Sequence, residues 1–260
     1  MKILVVGESC TDTYVYGQCK RLSPEGPVPV FNPRFNTSYP GMAANTFENI
    51  KNICEKSDQT ILITNKKENQ ATKTRYIEEK SNQLLLRVDE RDDCKKISNE
   101  AINKIKTLLV EERFDLLIVS DYNKGFLCNE TLISIGKMAR LSILDSKRQL
   151  CADIIDSYDF IKLNQKEYNN NLNEFAEFSK RMKAIITMGS DGVRFLDEDY
   201  AAPKKIETFD VSGAGDVFTA TLSYNFCKTK SIIDSIKFAQ SCCSKVILRR
   251  GTCVYEKNMD

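Results

Sequence analysis

The sequence has no histidine and no tryptophan among its 260 residues. The absence of histidine excludes the Ser–His and Cys–His pairs of nucleophilic catalysis, so any general base has to be Asp, Glu, Lys, Tyr or Cys. It also excludes the usual zinc ligand sets, since there is no Cys-x-x-Cys motif either. The ten cysteines are scattered, apart from the neighbours Cys242 and Cys243. We therefore expect reduced thiols in a cytoplasmic protein.

A large net charge and long hydrophobic runs are also missing. The 38 Lys and Arg residues nearly balance the 36 Asp and Glu residues, and the net charge of +2 excludes a general attraction to nucleic acid or to anionic membranes. The apolar runs, such as Ile3–Val6 and Leu116–Val119, are strand-sized and too short to cross a bilayer. The start of the chain does not have the pattern of a signal peptide. With 42% hydrophobic residues, we expect a soluble intracellular protein with a sizeable core.

Strand and helix patterns alternate along most of the chain. Buried strands are predicted at Lys2–Val6, Thr60–Thr64, Leu116–Ser120, Leu141–Asp145, Phe160–Leu163, Ala184–Met188 and Val193–Asp197. Helices are predicted at Ala43–Ile53, from Ile97 up to the strand at Leu116, and between the strands that follow. Further helices are predicted at Asn173–Met182 and, as a pair, after Gly213. Such alternation predicts a mainly parallel sheet covered by helices on both faces. The expected fold is therefore α/β with three layers, in a single domain of residues 1–260.

Two further segments, at about 13–35 and 73–90, show the alternation of half-exposed strands. The first contains most of a proline cluster that runs from Pro24 to Pro40. Because proline cannot donate to a strand ladder, this segment is expected at a sheet edge. Together the two segments predict a small β lid beside the main sheet.

The segment Asp210–Asp216 is the most informative part of the sequence for chemistry. Gly213, Ala214 and Gly215 add little side-chain bulk to a turn that opens an apolar helix, so an anion can approach their backbone N–H groups closely. Asp216 would then lie beside the bound anion. Taken alone, the same string is a weak signal, and a tight turn with a helix cap explains it better than an anion site does.

Six elements in order resemble the PfkB/ribokinase family of sugar and nucleoside kinases. They are Gly7–Asp12, Gly41–Asn45, Asn164–Glu167, Thr187–Gly192, Asp210–Asp216 and Gly251–Cys253. The resemblance covers nearly the whole chain and implies a ribokinase-like fold and an ATP-dependent carbohydrate kinase that uses Mg²⁺.

The resemblance also implies roles for particular residues. Asp216 would be the catalytic base, and Gly213, Ala214 and Gly215 would form the anion hole. Glu167 and Asn164 would hold Mg²⁺ through water, and Asp210, with Ser212, would contribute to a potassium site. The expected nucleotide-binding residues are Lys147, Asn164, Thr187, Gly189, Gly192 and Gln240. The expected sugar-binding residues include Asp12, Gly41 and Asn45.

A finer resemblance points to the heptose 7-phosphate kinases of ADP-heptose synthesis. It rests on Arg21–Val30, Lys73–Arg75, Gln83–Asp89, Ser120–Gly125 and Asp145–Lys147. In that branch the kinase phosphorylates the anomeric hydroxyl of a heptose 7-phosphate. A substrate that already carries a phosphate needs cations. The expected substrate contacts at this end are Lys73, Arg75, Arg87, Asp121 and Lys124.

Three departures from the family pattern keep other functions open. Met42 replaces the second glycine of a Gly-Gly pair, the segment before Lys73 is short, and Gln240 stands where Asn is common. A fructokinase-like or ribokinase-like activity and a non-catalytic sugar- or nucleotide-binding protein therefore remain alternatives, and a structural scaffold has little support. The expected partners are a small sugar or sugar phosphate, with no nucleic acid and no membrane, and a second copy of the chain through the lid.

Overall fold

The computed structural model describes residues 1–203, 212–248 and 254–256. Its strands are β1 (Lys2–Gly7), β2 (Ser9–Ser23), β3 (Gly26–Met42), β4 (Gln59–Ile63), β5 (Ala71–Glu78), β6 (Leu84–Glu90), β7 (Leu116–Asp121), β8 (Ser142–Ser146), β9 (Phe160–Asn164), β10 (Ala184–Thr187), β11 (Val193–Phe195) and β12 (Glu198–Tyr200). Its α-helices are α1 (Ala43–Ile53), α2 (Asn99–Lys106), α3 (Asn129–Met138), α4 (Ala152–Asp156), α5 (Gln165–Asn170), α6 (Phe178–Arg181), α7 (Ala214–Thr229) and α8 (Ile232–Val246).

The main sheet has eight described strands in the order β12-β11-β10-β9-β8-β7-β1-β4. Its pairs from β10 to β4 are parallel, and the hairpin of β11 and β12 adds an antiparallel edge. This arrangement confirms the predicted mainly parallel sheet.

Side chains that alternate along the central strands bury the two faces of this sheet separately. Leu4 and Val6 of β1 join a cluster that contains residues of α2, α3 and α4. Ile3 and Val5 join a second cluster that contains residues of α1, α7 and α8. The apolar residues of one continuous strand therefore pack against a helical layer on each face of the sheet. This is the three-layer α/β arrangement expected from the sequence.

The second sheet, which we call the lid sheet, has four described strands in the order β3-β2-β5-β6. Its proline-rich strand β3 lies at an edge, as the prolines predict. The strands β2 and β3 are long, and β3 leads directly into α1 at Met42. The lid sheet thereby places its residues beside the first turn of α1.

Two local predictions were wrong. Residues 173–182 do not form one helix: a 3₁₀ turn at Leu172–Phe175 and the short α6 are separated at Glu177, whose backbone is extended. Only Phe175 of this segment's large apolar side chains is buried, so no continuous apolar face holds a longer helix. Residues 193–197 do not form one strand. β11 ends at Phe195, because Leu196 adopts a left-handed φ of 57° and the chain turns there toward β12.

Two absences hold for the described part of the chain. None of its helices is both long enough and apolar enough to cross a membrane. Its nine cysteines form no disulfide.

Candidate active site

A cavity of ≈ 680 Å³, here called the main cavity, lies at the carboxyl ends of neighbouring strands. Tyr122 follows β7, Lys147 follows β8, and Asn164 and Thr187 end β9 and β10. The opposite wall comes from the start of α7 and from α8. The carboxyl edge of an open α/β sheet is the usual place for a ligand, so the main cavity is the candidate site.

Asp216 lies in the first turn of α7 and is almost completely buried at this cavity. Its Oδ2 accepts a hydrogen bond from Asn45 Nδ2 at 2.9 Å, and its Oδ1 accepts one from the Tyr122 hydroxyl at 2.8 Å. Thr46 Oγ1 donates a longer hydrogen bond of 3.4 Å to the same Oδ1. The partners of this carboxylate are thus neutral donors, among the hydrogen bonds of the described residues.

Burial raises the pKa of Asp216 to about 6, and the nearby charge of Asp145 adds to the rise, while the hydrogen bonds from Asn45 and Tyr122 oppose it. A carboxylate with this pKa is deprotonated at neutral pH and still binds a proton far more strongly than an exposed aspartate does. This is the combination that a general base for a sugar hydroxyl needs.

The turn before Asp216 is built for close approach of a ligand. Gly213 has a left-handed φ of 83° and directly precedes α7. The first N–H groups of this helix, which have no partner within the helix, therefore lie at the main cavity. A Cβ at Gly215 would lie 3.0 Å from Lys162 Nζ, which places a buried ammonium directly under the turn. The helix start and this ammonium together give the turn a positive potential.

Lys162 belongs to a buried group of charges centred on Asp145. Lys162 Nζ lies 3.0 Å from Asp145 Oδ2, and Lys147 Nζ lies 3.4 Å from Asp145 Oδ1. Thr219 of α7 donates to the same carboxylate at 2.9 Å. Burial alone would raise the pKa of Asp145, but the two ammonium groups hold it down to about 2. Asp145 is therefore a fixed anion.

Asn164 and Glu167 form a capping box at the start of α5. Glu167 Oε2 accepts from the Asn164 backbone N–H and Oε1 from Asn164 Nδ2, both at 2.7 Å, and Lys147 Nζ lies 2.9 Å from Oε1. Since both oxygens already accept hydrogen bonds, this carboxylate fits a Mg²⁺ ion held through water better than one bound directly. No group of three or more His, Cys, Asp and Glu side chains able to hold a metal occurs within residues 1–203, 212–248 and 254–256.

Four residues predicted to bind the nucleotide line one end of the main cavity, and they are Thr187, Gly189, Gly192 and Gln240. Gly189 and Gly192 bracket a 3₁₀ turn after β10, both with left-handed φ values. A Cβ at Gly192 would lie 2.1 Å from the Tyr200 carbonyl oxygen, so only glycine fits there. Gln240 of α8 donates to the same carbonyl at 2.7 Å. These contacts hold the loop near Thr187 against α8.

Asp12 of β2 and Arg75 of β5 face the same side of the lid sheet, and Arg75 Nη1 lies 2.6 Å from Asp12 Oδ1. A Cβ at Gly41 would lie 2.2 Å from Asp12 Oδ2, so glycine is required for this close approach. Asn45, predicted to bind sugar, donates a hydrogen bond to Asp216 and accepts one from Asn49. The structure brings the predicted sugar-side residues together, but several of them are already engaged with one another.

Lys73 is the predicted substrate cation with the least neutralised charge. Its Nζ lies 3.6 Å from Met42 Sδ and 5.5 Å from the centre of the Tyr122 ring. Within the described part of the chain, no carboxylate forms an ion pair with it. Met42 adopts a φ of 61°, which is unusual for a residue other than glycine, and its thioether fills the space next to this ammonium.

Three other residues predicted to contact the substrate form ion pairs with neighbouring side chains of the protein. Arg87 faces the same side of the lid sheet as Arg75 but pairs with Asp89. Lys124 pairs with Asp92. Asp121 is fully buried, and Arg148 Nε lies 2.6 Å from its Oδ2, so this carboxylate anchors the protein interior instead of facing the main cavity.

Sequence reasoning did not single out three residues that line or support the cavity: Tyr122, Asp145 and Lys162. A signal was present for Lys162, because a lysine inside the otherwise apolar strand β9 needs a buried partner. Tyr122 and Asp145 lie in segments that carry the finer resemblance, but no role was predicted for either of them. Asp210 and the segment Gly251–Cys253 lie outside the described residues, and Ser212 does not line the main cavity.

Comparisons with known proteins agree with this arrangement. The model of a family described as pfkB family carbohydrate kinase matches residues 56–258. A protein called bifunctional protein HldE from Campylobacter fetus is 27% identical over 97% of the chain, and one of the same name from Helicobacter pylori is 26% identical over 96%. The chain spans 64% of the length of each of these relatives.

Solved structures resemble the fold. Phosphofructokinase-2 from Escherichia coli, in complex with potassium, superposes with a TM-score of 0.75 at 14% identity, over 98% of this chain and 95% of that one. A ribokinase from Thermotoga maritima superposes with a TM-score of 0.68 at 17% identity, over 96% and 94% of the two chains. The fold is therefore ribokinase-like.

Proposed function

The chain belongs to the pfkB family of carbohydrate kinases, and we propose that it transfers the γ-phosphate of ATP to the anomeric hydroxyl of D-glycero-D-manno-heptose 7-phosphate. The observation that carries the kinase chemistry is Asp216, a buried carboxylate with neutral partners at the start of α7, beside the main cavity. Phosphoryl transfer needs this pairing of a base for the acceptor hydroxyl and N–H groups for the transferred charge.

In the proposed reaction the acceptor oxygen attacks the γ-phosphorus as its proton passes to Asp216. The new bond forms between that oxygen and phosphorus, and the bond from phosphorus to the β–γ bridging oxygen breaks, which releases ADP. Gly213, Ala214 and Gly215 present backbone N–H groups to the charge on the moving phosphoryl group. Lys162 beneath the turn adds a fixed positive charge.

ATP would lie along the far wall of the main cavity. Lys147 and Asn164 are proposed to face its phosphates, and Thr187, Gly189, Gly192 and Gln240 the nucleoside. Glu167 and Asn164 would hold Mg²⁺ through water, and the ion supplies neutralisation of phosphate charge. The proposed potassium contact at Asp210 lies outside the described residues.

The acceptor would lie between the lid sheet and Asp216. Asp12, paired with Arg75 and closely packed on Gly41, is proposed to hydrogen-bond sugar hydroxyls, together with Asn45. Lys73 is proposed as the main contact of the acceptor's phosphate, because in the described part of the chain its ammonium contacts a thioether and an aromatic ring and no carboxylate. Arg75 and Arg87 would assist from the same face of the lid sheet.

The choice of a heptose phosphate has two supports. One is the resemblance of Arg21–Val30 and of the Lys73–Arg75 segment to heptose 7-phosphate kinases. The other is the similarity to the proteins named HldE. A second candidate, an unphosphorylated sugar, is favoured by Met42, whose side chain narrows the acceptor side, and by the ion pairs that occupy Arg87 and Lys124.

ATP consumption with Mg²⁺ tests these proposals, with the heptose 7-phosphate compared against fructose, ribose and their phosphates. Turnover on the heptose phosphate alone is expected. Asp216→Asn should lower turnover by roughly 10²–10⁴-fold while ATP still binds. Asp234→Asn, at the exposed first turn of α8, is the matched control and should leave turnover unchanged. Normal turnover by Asp216→Asn would contradict its assignment as the base.

We also propose a homodimer through the lid. The lid carries exposed apolar side chains that a second copy would cover, and they are Leu22, Val28, Phe35, Leu84 and Leu86. Light scattering at micromolar concentration should give twice the mass of one chain, and a monomer would contradict the proposal.

A further inference from the structure

Tyr122 occupies a fixed position between the two halves of the site. Its backbone N–H donates to Glu8 Oε2 at 2.8 Å, and the Lys124 N–H donates to Glu8 Oε1 at 3.1 Å. Glu8 is fully buried and directly follows β1, so its carboxylate clamps the start of the loop after β7. The position of the Tyr122 backbone is therefore set by the neighbouring strands β1 and β7 of the main sheet.

The Tyr122 ring is held as firmly as its backbone. It packs against a small buried cluster of Cys10, Met42 and Ala71, which belongs to the lid side. Two ammonium groups approach the ring, Lys73 Nζ at 5.5 Å and Lys147 Nζ at 5.4 Å from its centre. One of these lysines comes from the lid sheet and the other from the nucleotide side, so the ring contacts both halves of the site.

The hydroxyl of this fixed ring points at the base. The Tyr122 hydroxyl lies 2.8 Å from Asp216 Oδ1. Asn45 of α1 donates a hydrogen bond from its Nδ2 to the other carboxylate oxygen, Oδ2. Burial and the charge of Asp216 raise the pKa of Tyr122 well above its usual value. The phenol therefore keeps its proton and acts only as a donor to the carboxylate.

We propose that Tyr122 is the positioning residue of the base: its hydroxyl fixes the Asp216 carboxylate toward the acceptor and keeps it ionised without a cation partner. The proposal rests on the role of Asp216 in the proposed function. Lys162 and Lys147 lie nearby on Asp145. A direct pair with either lysine would weaken Asp216 as a base, and a neutral phenol donor orients the carboxylate without that loss.

The charged groups around Asp216 define what removal of the hydroxyl should do. Asp145 of β8 raises the pKa of Asp216, Lys162 of β9 lowers it, and the neutral partners on α1 and after β7 lower it through hydrogen bonds. Tyr122→Phe removes one of the lowering contributions and keeps the ring between the two lysines. The pKa of Asp216 should therefore rise by about one unit, the equivalent of one buried hydrogen bond to a charged group.

The kinetic test compares pH profiles. In Tyr122→Phe, the acidic limb of kcat should move up by about one pH unit, so turnover falls roughly fivefold near pH 6 and recovers almost fully near pH 8. The KM for ATP should not change. Tyr168→Phe, a half-buried tyrosine that packs on Phe175, is the control and should keep the wild-type profile. An equal loss of turnover at every pH would overturn the proposal.

A second readout does not depend on the acceptor. Carbon-13 NMR of protein labelled at the aspartate carboxyl groups, with Asp216→Asn used to assign the signal, follows the titration of Asp216 directly. A midpoint that moves up in Tyr122→Phe supports the proposal even if no tested sugar is phosphorylated. An unchanged midpoint overturns it, even if the heptose phosphate is the substrate.

Discussion

Burial of the Asp216 carboxylate should lower the free energy of unfolding at neutral pH. Folding raises the pKa of this carboxyl from 3.8 to about 6, chiefly through burial. The folded state thus binds the proton more tightly than the unfolded state. The resulting contribution to stability is fully present below the unfolded pKa and is lost as the pH rises through the folded pKa. A gap of about two pKa units corresponds to a loss of about 3 kcal/mol across this window.

Asp216→Asn removes the titration, so its free energy of unfolding should lack this pH-dependent loss. Relative to the wild type, the variant should gain about 3 kcal/mol near pH 8 and about half of that near pH 5. The new amide can keep its oxygen on Asn45 Nδ2, but its NH2 group then faces the Tyr122 hydroxyl, which has to accept a hydrogen bond instead of donating one. That cost is the same at both pH values, so the difference of about 1.5 kcal/mol between the two conditions is the quantity to test.

Urea unfolding of both proteins near pH 5 and near pH 8 measures this difference. Asp234→Asn, on the exposed first turn of α8, is again the matched control and should show a gap between the two conditions close to that of the wild type. If the Asp216→Asn gap also equals that of the wild type, the pKa of Asp216 is not raised by folding. The reasoning that links its burial to its basicity would then be refuted.

Three further predictions concern the acceptor side and the buried ion pairs. Gly41→Ala should raise the KM for the acceptor roughly tenfold and leave the KM for ATP unchanged, because the new Cβ would lie 2.2 Å from Asp12 Oδ2; Gly26→Ala, which has open space around it, is the control, and equal KM changes in the two variants would contradict the explanation. Lys73→Met should raise the KM for a phosphorylated acceptor by about tenfold but not that for an unphosphorylated sugar; Lys20→Met on the exposed lid surface should change neither, and an equal loss on both acceptors would argue against a phosphate contact. Arg148→Met should lower the free energy of unfolding by about 3–5 kcal/mol in urea, since it leaves the Asp121 carboxylate buried without its ion pair; Arg194→Met breaks an exposed pair with Asp199 and should cost under about 1 kcal/mol, so similar losses would contradict the reasoning.

The elements that the sequence predicted correctly are those with strong local patterns. The apolar run of β1 is buried on both faces, and the prolines of β3 put it at an edge. The segment 173–182 failed because its apolar residues lacked a common buried face, which only the packed structure reveals. Local pattern therefore predicts an element well where one stretch of chain supplies its own burial.

The site was less predictable, because its decisive contacts join distant parts of the chain. Tyr122 and Asp216 are 94 residues apart, and Asp12 and Arg75 are 63 apart. The motif around Asp121 lies in a loop at the main cavity, but the Asp121 side chain turns inward to Arg148, whereas Tyr122 lines the cavity.

The two buried aspartates of the site show how the fold assigns chemistry to identical side chains. Asp145 is surrounded by the ammonium groups of Lys147 and Lys162, and its pKa is held to about 2. Among the described residues, Asp216 accepts hydrogen bonds from neutral donors only, and burial raises its pKa to about 6. A carboxylate that binds two cations cannot take a proton from a sugar hydroxyl, whereas one stabilised by neutral donors can. Because Asp145 holds both lysines, it also keeps them from pairing with Asp216, so the fixed anion supports the proposed role of its neighbour as a base.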